Sequence, residues 1–223
     1  MIDYTLNRSK RKTVALYVRD GCVEVRAPLK MPKHIIDQFV VSKEKWIEEK
    51  LAIMNERTSQ RDSFTLDYDS EVLYRGNLYP IVAREGDYIG FDDDCFYMPQ
   101  GLSHEQIKSC CIDIYKMVAK RDILIRTMEI AQKMSAYPQS VKITDARSRW
   151  GSCSASKRIC FSWRLIMADD DLIEYIIVHE LSHLTELNHS DRFWNIVESI
   201  LPDYKDRQNR LKELHEKLAS ENW

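Results

Sequence analysis

The sequence predicts an α+β protein, and three patterns predict it. Strand-like alternation broken by turn signals fills residues 1–100, a long helical repeat follows at once, and the last third carries short helices after one more pair of strand signals. Thr13 to Val18 and Cys22 to Ala27 flank Asp20-Gly21, a hairpin signal. Pro32 opens a helical stretch, and Ser42 is placed to cap a second one carrying Trp46, Ile47, Leu51 and Met54. The polar run Glu56 to Asp62 reads as a linker. Short strands are expected from Phe64 to Met98, with turns at Tyr74-Arg75-Gly76-Asn77, Glu85-Gly86-Asp87 and Asp92-Asp93-Asp94.

A long helix begins at Ser103, whose hydroxyl can form a capping box with Gln106, and runs to about Met134 with Ile107, Cys111, Ile114, Val118, Ile125 and Met128 on one side. Tyr137-Pro138 ends it. Val141 to Arg147 and Ile159 to Ile166 are expected as the two strands of a hairpin around a loop holding Gly151. Past them come a helix bearing histidines, another from about Asp191 to Leu201 that stops at Pro202, and a last one with Leu211, Leu214 and Leu218. The division expected is a β-rich lobe with two short helices over 1–100 and a second lobe over 101–223.

A chain of 223 residues with 44% hydrophobic content can bury its own core without staples. Its net charge of −2 and pI near 6.3 give no general attraction to nucleic acid or anionic membrane, so nucleic acid is expected only as an indirect partner and a membrane not at all. Met1 to Arg8 lacks the apolar core of a signal peptide, and the expected location is cytoplasmic. The six cysteines then read as free thiols. Cys110 and Cys111 are neighbours, no Cys-x-x-Cys pair occurs, and Cys153 and Cys160 flanking the hairpin turn are assigned to packing. The basic run Arg8, Lys10, Arg11, Lys12 has no interleaved aromatics and reads as a solvated hairpin edge.

The chemistry is concentrated in Ile176-Ile177-Val178-His179-Glu180-Leu181-Ser182-His183-Leu184. At about 100° per residue, His179 and His183 project within about 40° of each other on a helix and can share one tetrahedral ion. Glu180, about 100° round, can reach a water on that ion without displacing an imidazole, the position of a general base. Ile173, Ile177, Leu181 and Leu184 form an apolar stripe on the far side, and Asp169, Asp170 and Asp171 supply an N-cap and negative charge at the start. The third ligand is either His189 or a carboxylate, Glu198 or Glu213. His189 is preferred, because Asn188 can end one helix in a left-handed turn and Ser190 can cap the next, doubling the chain back. Arg149, Tyr175 and Tyr204 are candidates for an oxyanion donor or substrate contact. Trp150 and Trp163 either line the cleft or pack in the core.

The segments Arg147-Ser148-Arg149-Trp150-Gly151-Ser152-Cys153-Ser154, Trp163-Arg164-Leu165, His179-Glu180-Leu181-Ser182-His183 and Asn188-His189-Ser190 with Phe193-Trp194 resemble the YgjP-like metallopeptidase family, kin of the SprT-like and WLM zinc proteases. The resemblance spans nearly the whole chain and is most specific over residues 147–194. It implies a zincin-like core, one zinc held by His179, His183 and His189, Glu180 as the catalytic glutamate, and a protein or peptide substrate. Metzincins share the histidine spacing but place a glycine where this chain has Glu186, and they need a later methionine, whereas none follows Met167. Ala168-Asp169-Asp170 departs from the family pattern, in which a proline often follows the alanine. The expectation is hydrolysis of peptide bonds. The alternatives are a zinc-stabilised interaction module acting on nucleoprotein complexes with little turnover, or hydrolysis of a non-peptide amide.

Overall fold

The computed structural model describes residues 2–19 and 21–223, and they form two compact units, Met1–Phe64 with Ala219–Asn222 and Thr65–Leu218 with Trp223. In the first unit β1 (Thr5–Ser9) pairs parallel with β3 (Cys22–Pro28), which pairs antiparallel with β2 (Ala15–Arg19). The β2–β3 pairing matches the hairpin signal, although Asp20 of its turn lies outside the described residues. Val23, Val25 and Ala27 alternate inward from β3 onto Ile36 and Val40 of α1 (Lys33–Ser42) and Ile47 of α2 (Glu44–Ser63).

Two expectations for this unit are corrected. Ser42 does not cap α2, because its hydroxyl donates back to the Phe39 carbonyl and Lys43 takes the cap position. Residues 56–62 are no linker, since α2 continues through them to Ser63; their Glu, Gln and Arg side chains are good helix formers on a solvated face. The basic run is also divided. Arg8 closes β1 and donates to the carbonyls of Pro28, Leu29 and Met31, while Lys10 and Lys12 remain exposed.

In the second unit β4 (Glu71–Tyr74), β5 (Asn77–Arg84), β6 (Gly90–Phe91) and β7 (Phe96–Pro99) form a sheet in the order β4-β5-β7-β6. These strands, grouped by sequence with the first hundred residues, belong instead with the helices that follow: Phe96 packs on Tyr115 of α3 (His104–Met134), and Tyr115 stacks on Trp163. The two-residue β4–β5 turn has positive φ at Arg75 (47°) and Gly76 (79°), the type I′ geometry of tight hairpins. Its tip docks on the chain just before the histidine helix, through Arg75 N–H to Ile166 O and Gly76 N–H to Met167 O. A side chain at Gly76 would meet the Asp169 β-carbon at 2.8 Å.

The capping box at Ser103 and Gln106 forms as expected. Ile125 and Met128, expected inside, are 56% and 58% exposed. The buried face of α3 turns along its length: Ile107, Cys111, Ile114 and Val118 lie together, whereas Ile123, Thr127 and Ile130 lie roughly 140° to 200° round from Ile107. Its first half packs under Phe96 and its second half borders the start of the histidine helix, where Arg126 pairs with Asp170.

The expected hairpin of residues 141–166 is also corrected. β8 (Ser140–Thr144) and β10 (Arg158–Ser162) are parallel, and β9 (Gly151–Cys153) pairs antiparallel with β10 at the other edge. After Ser162 the chain leaves the sheet for a 3-10 turn, Trp163–Met167, buried on every side; the alternation of Ile159, Phe161, Trp163 and Leu165 continues past the strand because both settings are apolar. Asp169 then caps α4 (Asp170–Ser182), followed by α5 (Asp191–Ile200) and α6 (Tyr204–Leu218).

Candidate metal centre

The start of α4 is clamped by arginines from three distant segments. Asp169 accepts a side-chain hydrogen bond from its own Leu172 N–H and a salt bridge from Arg210, and Asp170 is bound by Arg75 and Arg126. These contacts fix the helix at its positive end. Ile173, Ile177 and Leu181 are fully buried as the stripe predicts, but Leu172, Tyr175, Ile176 and Val178 are buried too, so α4 is enclosed on nearly every side.

Helix α4 ends at the second histidine, for His183 occupies the C-cap position. The chain turns there through Leu184 N–H to Leu181 O and Glu186 N–H to Ser182 O. Because a carbonyl can only accept, His183 Nδ1 is the donor to Glu186 O at 3.0 Å, which leaves its Nε2 with a free lone pair. Asn188 is not left-handed and the Ser190 hydroxyl makes no cap bond, so the return of His189 rests on the turn at 184–186 and not on those two residues. His189 Nε2 lies 3.0 Å from His179 Nε2.

One nitrogen from each of His179, His183 and His189 lies within 4.8 Å of the others. A tetrahedral ion with metal–nitrogen distances of about 2.0 to 2.1 Å sets its ligands roughly 3.4 Å apart, so the three rings fit such an ion with small adjustments. Glu198 and Glu213 do not join this group. Phe193, fully buried, lies beside all three rings at 4.5, 4.8 and 4.9 Å from His183, His189 and His179. Burial, with the neighbouring imidazoles adding, pulls His179 down to about 3, and burial also lowers His183, so both rings are neutral and able to ligate.

Glu180 is 5% exposed and its Oε2 has no hydrogen-bond partner among the described residues. Burial raises its carboxyl to about 7, with the Arg149 charge opposing. A carboxyl near neutrality can both take and return a proton. Strand β9 lies directly against it, at Gly151.

The remaining candidates fall in different places. Tyr175 is 3% exposed with its ring 5.9 Å from His179, and burial, with Tyr204 and Glu180 nearby, pushes its hydroxyl up to about 12. Arg149 is exposed, with its charge felt at Glu180. Tyr204 is stacked on Trp194. Trp163 is a core residue, its indole N–H bonded to Asp145, while Trp150 is half-buried with its edge toward His215. Sequence reading gave no individual role to Phe193 or Trp194; the signal was there, an aromatic pair on the first turn after His189.

The family model described as YgjP-like, metallopeptidase domain matches residues 12–214, and the chain belongs to the YgjP-like metallopeptidase family. It is therefore a metallopeptidase, an enzyme of a family whose chemistry requires a catalytic metal ion. Among solved structures, the zymogen of abylysin from Pyrococcus abyssi is similar at 21% identity and TM-score 0.37, over 40% of this chain and 90% of that one. The zymogen of jannalysin from Methanocaldococcus jannaschii is similar at 21% identity and TM-score 0.38, over 41% of this chain and 95% of that one. No curated protein matches the sequence.

Proposed function

We propose that the chain is a zinc peptidase of zincin type in which His179, His183 and His189 hold the ion and Glu180 is the general base. The observation that carries the reading is the meeting of one ring nitrogen from each of three histidines beside a buried carboxyl whose Oε2 has no hydrogen-bond partner among the described residues. Zinc bound by three imidazoles supplies a Lewis acid for the scissile carbonyl and lowers the pKa of a water to about 7. Glu180 removes a proton from the attacking water and returns it to the leaving amine, a role open to a buried carboxyl whose Oε2 has no other partner among the described residues.

The substrate is a protein or peptide in extended form. β9 is the outer strand of its sheet and touches Glu180 at Gly151, so main-chain pairing along its free edge would carry a scissile bond past the base. Tyr175 keeps its proton to about 12 and is assigned to donate to the carbonyl oxygen as charge gathers there, with the Arg149 guanidinium as a second donor. Among the described residues no helix is long and apolar enough to cross a membrane, and six free cysteines suit the reducing cytoplasm.

The test is Glu180→Gln assayed for metal content and for cleavage of a peptide library. The variant is expected to keep about one zinc per chain and to lose cleavage by a factor of about 100 or more. Unchanged cleavage would remove Glu180 from the mechanism, and a wild type without cleavage would favour a metal-stabilised interaction module.

A further inference from the structure

The three imidazoles are held by different means. His179 is packed within α4, and His183 is locked at the helix cap by its bond to the Glu186 carbonyl. His189 is exposed, in the coil between α4 and α5, and apart from the contact with His179 no hydrogen bond to its ring occurs among the described residues. Metal-binding histidines commonly have their second nitrogen tied to a carbonyl or carboxylate, and that tie fixes the ring plane. Aromatic faces do the work here. The Trp194 ring is stacked on His189 at 5.7 Å and 28°, and Phe193 meets it edge-on at 4.8 Å and 73°. Trp194 is backed in turn by Tyr204, stacked at 5.2 Å and 16°, and Tyr204 is only 7% exposed at the start of α6.

We propose that Trp194, seated on Tyr204, is a positioning residue for the metal site: it holds the His189 imidazole in its ligating plane by stacking, in place of a hydrogen bond. The inference rests on the reading of His189 as a ligand. A face contact restrains ring rotation while leaving both nitrogens of His189 unblocked, and the centroid spacings along His189, Trp194 and Tyr204 lie in the range of favourable offset stacking, about 4.5 to 7 Å. Loss of an orienting partner of this kind weakens metal binding by about 10- to 100-fold.

The experiment strips the protein of metal and measures zinc affinity by competition with a chromophoric chelator, together with the visible spectrum of the cobalt form, which reports ligand number and geometry. Trp194→Leu is expected to lose about tenfold or more in zinc affinity and to change the cobalt spectrum, while the metal-free protein melts close to wild type. Trp194→Phe restores most of the affinity because a ring is restored, and Tyr204→Leu shows a smaller loss of the same kind. Wild-type affinity and spectrum in Trp194→Leu overturn the proposal, as does a loss in Trp194→Phe equal to that in Trp194→Leu. Where Trp194→Leu fails to fold, Tyr204→Leu decides, and wild-type affinity there overturns it. His189→Ala separates the two levels. Zinc retained in that variant removes His189 as a ligand, whereas zinc lost there but kept in Trp194→Leu removes only the stack.

Discussion

A β-carbon on Gly151 would lie 2.6 Å from both Cγ and Oε1 of Glu180, so β9 approaches the buried carboxylate as closely as a residue without a side chain allows. Gly151→Ala must push either the strand or the carboxylate aside. The expected outcome is a fall in kcat/KM of at least about tenfold, equivalent to about 1.4 kcal/mol, with metal content unchanged. Steady-state kinetics beside metal analysis checks it, and a variant with wild-type kinetics would place β9 outside the catalytic geometry.

Removal of the metal is expected to lower thermal stability. Folded protein binds the ion better than the unfolded chain does, so zinc at a hundredfold excess over Kd adds about 2.7 kcal/mol, a rise in melting temperature of roughly 5 to 10 °C. Scanning calorimetry with and without chelator measures the difference, and coincident melts would argue against a tightly held ion.

Stability should also depend on acid through the clamp at the start of α4. Asp170 is lowered to about 2, chiefly by its hydrogen bond from Arg75, with Arg126 adding and burial opposing. A depressed carboxyl contributes stability that is complete above its unfolded value of about 4 and is lost as pH falls through that value toward 2. Because Asp170 is half exposed, the contribution is modest. Urea titrations of metal-free protein between pH 6 and 2 are expected to show this acid loss in the wild type and a shallower one in Arg75→Ala; parallel curves would refute the assignment.

Arg164 offers a structural test away from the metal. Its side chain is 10% exposed, pairs with Asp145 at 2.7 Å, donates to the Trp223 carbonyl at 2.9 Å and lies 4.2 Å over the Trp163 ring. Arg164→Ala removes both hydrogen bonds and the contact with the Trp163 ring and is expected to cost about 2 kcal/mol, read from chemical denaturation. An unchanged midpoint would show that Trp223 is not held by this contact.

The closeness of His179 and His183 was legible because it follows from one period: residues four apart on a helix share a face, whatever surrounds them. The capping box at Ser103 and the tight turn at Arg75-Gly76 were legible for the same reason, being local. What escaped was decided at a distance. The parallel pairing of β8 with β10 depends on a crossing strand, and the strand signal at Trp163 and Leu165 cannot tell a sheet from a buried 3-10 turn when every side is apolar. Likewise Ile125 and Met128 match the period of α3, but different neighbours along the helix choose which face is covered. The structure brings His189, and not Glu198 or Glu213, beside the pair, but not by the expected route through a left-handed Asn188 and a capping Ser190.

The arginine clamp has a consequence for biosynthesis. Arg75, Arg126 and Arg210 converge on Asp169 and Asp170, and Arg210 lies on α6, later in the chain than the helix it restrains. During translation α4 is therefore made before its last restraint, and a ribosome-bound fragment ending before residue 210 holds the histidine helix without the Arg210 anchor.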